Sequence, residues 1–285
     1  MALVYHGIED ETGDPGQQLL PAISRAVFKA HLEHLAATYL VVSPSRLLDA
    51  ARERRRGDRF PVAITFDDDL PSHLEVAAPV LRAARLPAAF FLSGASLDGA
   101  NLWWRDLEEL YAREGSLRPL RSLPPGGSTG GIHAVAATIE RLPPVQRDAV
   151  ARELHDRIRA PVRILAAEEM KALADDFEIG FHTLRHYLCS TLDDAALDAA
   201  LSEGRQQLEE VVARPLTMIS YPHGKADTRV ATAARNAGYE LGFTAFATPA
   251  GESVDPLLVG RIDAHALSPG EFGRAIAGTL AHDSG

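Results

Sequence analysis

Short apolar runs alternate along the chain with stretches in which apolar residues recur every three or four positions. The runs fall at 2–5, 62–66, 88–92, 178–181, 216–221, 241–245 and 257–262. They are short, bounded and rich in β-branched or aromatic residues, which predicts strands. After the first run, Phe28, Leu32, Leu35 and Tyr39 follow one another in steps of four, three and four, one face of an amphipathic helix. Ser72 stands as N-cap for a helix carrying Val76, Val80, Leu81 and Ala84. Leu197, Leu201, Leu208, Val211 and Val212 line a further helical face. Strands alternating with helices predict parallel βα units. Seven such strands suit a closed or nearly closed barrel better than an open sheet, and a barrel places chemistry at the C-terminal ends of its strands.

The segment at about 101–167 breaks this rhythm. It opens on Leu102-Trp103-Trp104, runs helically to Glu114, crosses a Pro- and Gly-rich loop at 124–131, and resumes a helical pattern at 134–159, interrupted by Pro143-Pro144. We read it as an insertion on one domain covering residues 1–285. A chain of this length can hide roughly three quarters of its unfolded surface, so burial does not limit it. Its 29 basic and 39 acidic residues give a net charge of −10, which argues against a nucleic-acid partner. No run approaches the ~18 apolar residues of a membrane span. The single Cys189 excludes an intramolecular disulfide framework and a zinc site built mainly from thiolates. The start, MALVYHGIEDETGD, lacks a basic, apolar leader, so the cytoplasm is the expected compartment.

Three strand ends carry candidate chemistry. The run at 62–66 ends in Asp67-Asp68-Asp69, three carboxylates that are costly to gather without a cation. Adjacent strand-end residues point in different directions, so one aspartate can bind a metal while its neighbour handles a proton. The bland reading is an exposed acidic turn. After the run at 178–181 comes His182-Thr183-Leu184-Arg185-His186. If a helical turn begins at Thr183, both imidazoles reach one ion; alone, the pair reads as two surface histidines. Joined to the aspartates they make a His₂Asp set suited to zinc or a similar divalent ion. The third end is Ser220-Tyr221-Pro222-His223-Gly224, where Pro and Gly shape a tight turn or an ordinary loop. Of the other residues, His31 and His34 read as solvated positions on a polar helix face, Cys189 as packing, and His73 as a neighbour of the aspartates. One of Trp103 and Trp104 reads as core and the other as partly exposed. The loop at 124–131 lacks the Lys-Ser/Thr ending of a phosphate loop.

Taken in order, these residues resemble the polysaccharide deacetylases, the NodB-homology or carbohydrate esterase family 4 group. Thr65-Phe66-Asp67-Asp68 matches the first family motif, His182 to His186 the second, and Tyr221-Pro222-His223-Gly224 a variant of the third. Supporting stretches are Leu3-Val4-Tyr5-His6, Leu86-Pro87-Ala88-Ala89-Phe90-Phe91 and Glu178-Ile179-Gly180, and the likeness spans roughly residues 2–263. The resemblance implies a deformed (β/α)7 barrel, with a helical insertion between the second and third metal-ligand positions. It implies a divalent metal ion, zinc before other divalent ions, on Asp68, His182 and His186. It makes Asp67 the general base on a metal-bound water nucleophile. Many relatives take their general acid from a late Leu-x-His motif; His265 and His282 fit that pattern poorly, and His6 of the N-terminal Tyr-His strand takes the role, as in permuted relatives. Ser220 stands where the family's third motif often has arginine, and Arg261 is the candidate replacement. Tyr221, Pro222, His223, Arg261 and Trp103 are the residues expected at the substrate, with the backbone N–H of His223 facing the oxyanion. The implied activity is removal of acetyl groups from N-acetylated sugars, in a polymer, an oligomer or a biosynthetic intermediate, by a hydrolase acting on C–N bonds other than peptide bonds.

Three other readings stand beside it. An O-acetyl carbohydrate esterase would use the same site. A non-catalytic carbohydrate-binding protein on a degenerate barrel would explain Ser220 but has no need of the acidic cluster. A carboxylate-pair glycosidase leaves the spaced histidines unexplained.

Overall fold

The computed structural model of the chain describes all residues except 11–17, 21, 101, 116, 159–161, 249–253, 266 and 282–285. Its frame is seven parallel strands: β1 (Ala2–Tyr5), β2 (Pro61–Asp67), β3 (Ala89–Leu92), β4 (Glu178–Phe181), β5 (Met218–Ser220), β6 (Leu241–Phe243) and β7 (Arg261–Asp263). They are ordered β7-β1-β2-β3-β4-β5-β6, and a two-residue strand at Leu40–Val41 pairs with the start of β2. The ring nearly closes between β6 and the approach to β7. There a single parallel bridge joins Phe243 to Val259, with Thr244 N–H donating to Val259 O and Val259 N–H to Gly242 O, each at 2.8 Å. This is the nearly closed barrel expected from the strand pattern, in the deformed seven-stranded form that the resemblance implies.

The alternation of side chains along each strand decides what fills the barrel. Ala2, Ala63, Ala89, Phe91, Met218, Leu241, Phe243 and Val259 cluster as one layer inside the ring. Their neighbours, among them Leu3, Ile64, Phe66, Phe90, Ile179 and Ile219, pack outward into a separate and larger cluster with the helices. Gly180 belongs to the inner set, and a Cβ there would meet the Phe91 ring at 2.3 Å. Only glycine lets that ring plug the axis. The same parity carries Thr65 and Asp67 inward above Ala63, Ser220 above Met218, His182 above Gly180 and Arg261 above Val259. Polar residues at alternate positions of four strands therefore converge at one mouth.

The helical readings hold in outline and change in detail. Helix α1 (Arg25–Thr38) is capped by Ser24, whose side chain accepts from Val27 N–H, and it buries Phe28, Leu32 and Leu35. It also buries His31, which stacks on Phe272 at 3.8 Å between ring centres and receives the Tyr5 hydroxyl at 3.3 Å. The polar-face reading of His31 is thus corrected; Phe272, far along the chain, covers it. Ser72 does not cap: its backbone is already helical, and its hydroxyl accepts from Ile8 N–H at 3.3 Å. The next turn, His73–Ala77, widens to a π turn before Ala78–Ala84 continues. The face at 197–212 belongs to two helices, Asp194–Ser202 and Arg205–Val212. They part at Gly204, whose φ of 80° suits glycine.

The insertion carries helices α2 (Trp103–Glu114), α3 (Ile132–Glu140) and α4 (Pro144–Arg157). It falls between the first and second expected ligand positions, Asp68 and His182, rather than between the second and third. It has an apolar cluster of its own, built on Trp103, Trp104, Leu107, Ile132, Val150 and Leu154, which also takes in Leu70, Ala95 and Leu184. Those last three follow the C-terminal ends of β2, β3 and β4, so the insertion sits on the mouth where the inward polar residues gather. Among the described residues no helix is long and apolar enough to cross a membrane.

Candidate active site

Asp67 ends β2 inside the barrel, 3% exposed. Arg261, from β7 and 1% exposed, meets it with both arms of its guanidinium: Nη1 to Oδ1 at 2.8 Å and Nη2 to Oδ2 at 2.7 Å. The fork is itself fixed, because Arg261 also donates to Thr65 Oγ1, to Ser220 Oγ and to Thr244 O. The Ser220 hydroxyl in turn donates a hydrogen bond to Asp67 Oδ2 at 2.9 Å. Burial alone would raise the Asp67 pKa, but the charge of Arg261 and its hydrogen bonds outweigh it and hold the carboxyl well below the usual range. Asp67 is therefore a fixed anion. Ser220 bridges the replacement arginine to the carboxylate, and Arg261, expected at the substrate, is sealed beneath the carboxylate instead.

Asp68 faces a different environment. The chain turns out of β2 at Asp68 with a φ of 76°, outside the usual range for a residue with a side chain. Asp68 Oδ1 is buried without a hydrogen-bond partner among the described residues, 3.7 Å from His182 Nε2 and 3.8 Å from His186 Nε2. His182 Nδ1–H donates to Ser220 O at 2.8 Å, which fixes the tautomer and turns the Nε2 lone pair toward Asp68. The two histidines do not share a helical turn. Thr183 and His186 both take left-handed backbone, φ 59° and 50°, and this folded loop brings the imidazoles to 5.0 Å between ring centres. Burial lowers both histidine pKa values, so each ring is neutral with a lone pair free; burial and the neighbouring Asp67 and Asp69 charges raise that of Asp68. One ligand atom from each of Asp68, His182 and His186 lies within 4.8 Å of the others. An orphaned carboxylate oxygen facing two imidazole nitrogens fits a divalent cation with open coordination positions.

Asp69, given no separate role by its sequence, is the anchor of this turn. Its carboxylate accepts from Ser93 N–H, Ser93 Oγ and Ala95 N–H at 2.6–3.1 Å, and its carbonyl from Leu165 N–H at 2.9 Å. It thereby ties β2, the end of β3 and the end of the insertion together. No local pattern marks such a partner, because Ser93 is set beside it only by strand pairing.

His6 follows β1 at the same mouth. Burial lowers its pKa to about 4, against the opposing pull of Asp67 and Asp263. His73, fully buried in the π turn, donates from Nε2 to the His6 carbonyl at 3.2 Å and so fixes its backbone. His265, a poor motif match, nonetheless lies with its ring 5.9 Å from that of His6, edge to face. His282 lies outside the described residues.

The third motif supplies less side-chain chemistry than expected. Tyr221 is fully buried in the core and its hydroxyl donates to Leu257 O at 3.0 Å, so it is no substrate contact; Pro222 is buried as well. His223, at φ 59°, does face the site, 4.7 Å from the His186 ring and 3.6 Å from Glu140 Oε1 of α3. Both tryptophans are buried, at 5% and 4%, which corrects the reading of one as partly exposed. Their indole N–H groups find no partner among the described residues. They line a cavity of about 270 Å³ together with Leu20, Glu140, His186 and His223, so Trp103 does border the mouth. A larger cavity of about 1210 Å³, lined by arginines of the insertion such as Arg118 and Arg152, includes none of these residues. Cys189 is buried, its thiol pushed up to about 12 by burial, in keeping with packing.

The insertion also reaches the ligand loop directly. Arg147 of α4, 2% exposed, donates from Nη2 to the His186 carbonyl and lies over the rings of Trp103 and Tyr187 at 5.3 and 5.2 Å. It holds the strained turn that presents His186. Arg147→Ala is expected to weaken divalent-ion binding by about 10–100-fold, the usual loss when a group supporting a ligand is removed. Competition against a chromogenic chelator measures this; unchanged affinity would place Arg147 in packing only.

With this geometry in place, the chain can be compared with known proteins. A family profile described as polysaccharide deacetylase matches residues 54–242, more than half of the chain. The fold is similar to the deacetylase PplD of Streptococcus pyogenes, solved in complex with acetate: TM-score 0.64, 16% identity, 98% of this chain and 96% of that one covered. It is also similar to IcaB of Ammonifex degensii, with TM-score 0.59, 18% identity and coverage of 97% and 95%. For BC0361, a polysaccharide deacetylase from Bacillus cereus, the values are 0.59 and 18%, over 96% of this chain and 68% of that one. No curated protein sequence matches the chain.

Proposed function

The chain belongs to the polysaccharide deacetylase family, and from that premise we propose that it is a divalent-ion-dependent hydrolase removing acetyl groups from N-acetylated sugars. One observation carries the reading: two adjacent carboxylates are given opposite surroundings. Asp67 is locked as an anion by Arg261 and Ser220, while Asp68 turns an unpartnered oxygen toward two neutral imidazoles. A structural acidic turn has no need of that division.

Asp68, His182 and His186 would hold the ion, which when bound polarises a carbonyl and lowers the pKa of water. Asp67 accepts the proton of the attacking water. Its low pKa makes it a weak base, and what it contributes is a fixed orientation at a site where it is always ionised. The backbone N–H of His223 serves the developing oxyanion. Burial keeps the His6 ring neutral in the free chain. As negative charge grows across the mouth the ring takes up a second proton from solvent and passes it to the departing amine, while the proton accepted by Asp67 returns to solvent as acetate leaves.

Acetate release tests this directly. The expected result is turnover of N-acetylglucosamine oligomers exceeding that of acetylated xylan. The reverse preference would make the protein an O-acetyl esterase, and acetate from neither, with sugar still bound, a carbohydrate-binding protein.

A further inference from the structure

The pairing of β1 with β7 builds a second group of ligand-capable side chains. Val4 is in register with Asp263, and Ala264 N–H donates to Val4 O at 3.0 Å. Two residues past each register position stand His6 and His265. One ligand atom from each of His6, Asp263 and His265 lies within 4.8 Å of the others. The imidazole of His265 bonds through Nδ1 to Asp263 Oδ1, while His6 Nδ1 is buried with no hydrogen-bond partner among the described residues. The His73 bond to the His6 carbonyl keeps the His6 backbone in place. The group shares no residue with Asp68, His182 and His186. It opens toward solvent through Asp263, whose side chain is 46% exposed.

We propose that His6, Asp263 and His265 form a second divalent-cation site. Two imidazoles and one carboxylate are a donor set for zinc, cobalt or nickel rather than magnesium or calcium, which prefer oxygen. The neighbouring charge does not forbid it, because Arg261 is already neutralised by Asp67. The first site is buried and supported on all sides, whereas the second is partly open and carries one exposed ligand, so it fills after the first. An ion here occupies the lone pair of His6, so the ring keeps its one N–H but cannot take up the second proton that a donor to the amine needs. Where His6 is the proton donor, a consequence that rests on the function proposed above, excess metal then inhibits.

Calorimetric titration of the metal-free chain with zinc separates these statements. Wild-type protein is expected to bind two equivalents, the second more weakly. His265→Ala and, independently, Asp263→Asn are expected to bind one. The double variant His182→Ala, His186→Ala is expected to lose the tighter equivalent and keep the weaker. Acetate release is expected to peak near one equivalent and fall as the second binds, with no fall in His265→Ala. A single equivalent in wild type, or two retained in both His265→Ala and Asp263→Asn, overturns the second site. Two equivalents with the stated variant pattern but no acetate release at any loading overturns the proposed function and leaves the site standing.

Discussion

Asp67→Asn is expected to lower acetate release by about 10²–10⁴-fold, the range for loss of a positioned general base, while zinc bound at Asp68, His182 and His186 is retained. The change is nearly isosteric but removes the charge to which Arg261 is paired. It also turns an amide N–H₂ or a neutral carbonyl toward the Arg261 fork and the Ser220 hydroxyl. Part of the effect is therefore on stability, since an uncompensated buried cation remains. Assays belong well below the melting temperature, with metal content measured on the same sample. Full metal occupancy and a native melting profile in the assay range, with activity lost, assign Asp67 to the chemistry. Activity within a few-fold of wild type would remove it from that role and leave the ion pair as a structural feature. Asp67→Ala is a poorer test, because it opens a cavity as well.

The barrel was legible because its strands are buried on both faces. Such strands appear as continuous apolar runs, and 2–5 and 178–181 match β1 and β4 to the residue. The two site aspartates and the spaced histidines were legible as residue types at strand ends. What one-dimensional spacing could not supply is register. The union of Arg261 with Asp67 spans 194 positions and depends on both residues having inward parity, so the sequence offers only a cation near a late strand. His265 matches no family motif well, yet the register of β1 with β7 sets it beside His6. Left-handed backbone at Thr183 and His186 hid the real form of the histidine pair, since neither residue type announces a positive φ. The burial of both tryptophans and of His31 escapes the sequence for one reason: amphipathic spacing tells which face a helix buries against its nearest neighbour. It does not tell what a later segment, such as Phe272, lays over the other side.

Replacement of Arg261 by Met is expected to destabilise the protein by about 3–5 kcal/mol, the usual cost of leaving one member of a buried pair without the other. Four acceptors lose their donor at once: Asp67, Ser220, Thr65 and Thr244. The cost falls chiefly on Asp67, whose burial then has little to oppose it and whose pKa must rise. In the wild type the folded-state value lies below that of the unfolded chain, near 3.9. The pair's stabilisation is therefore complete above about pH 4 and is lost only as acid takes the pH down through the folded-state value. In Arg261→Met the sign reverses: a raised folded pKa favours the protonated carboxyl, so the variant loses further stability as pH rises. With Asp67 as the base proposed above, the acid limb of its activity is expected to move upward. Arg261→Lys keeps a charge but not the two-armed geometry, and a smaller change in the same direction is expected. The decisive comparison is Arg261→Met with the double variant Arg261→Met, Asp67→Asn. If the buried unpaired carboxylate is the source of the loss, chemical denaturation will show the double variant to be the more stable of the two. If removal of Asp67's charge restores nothing, the loss comes from the broken bonds to Ser220, Thr65 and Thr244, and Arg261 is a strut of the barrel rather than the partner of the base.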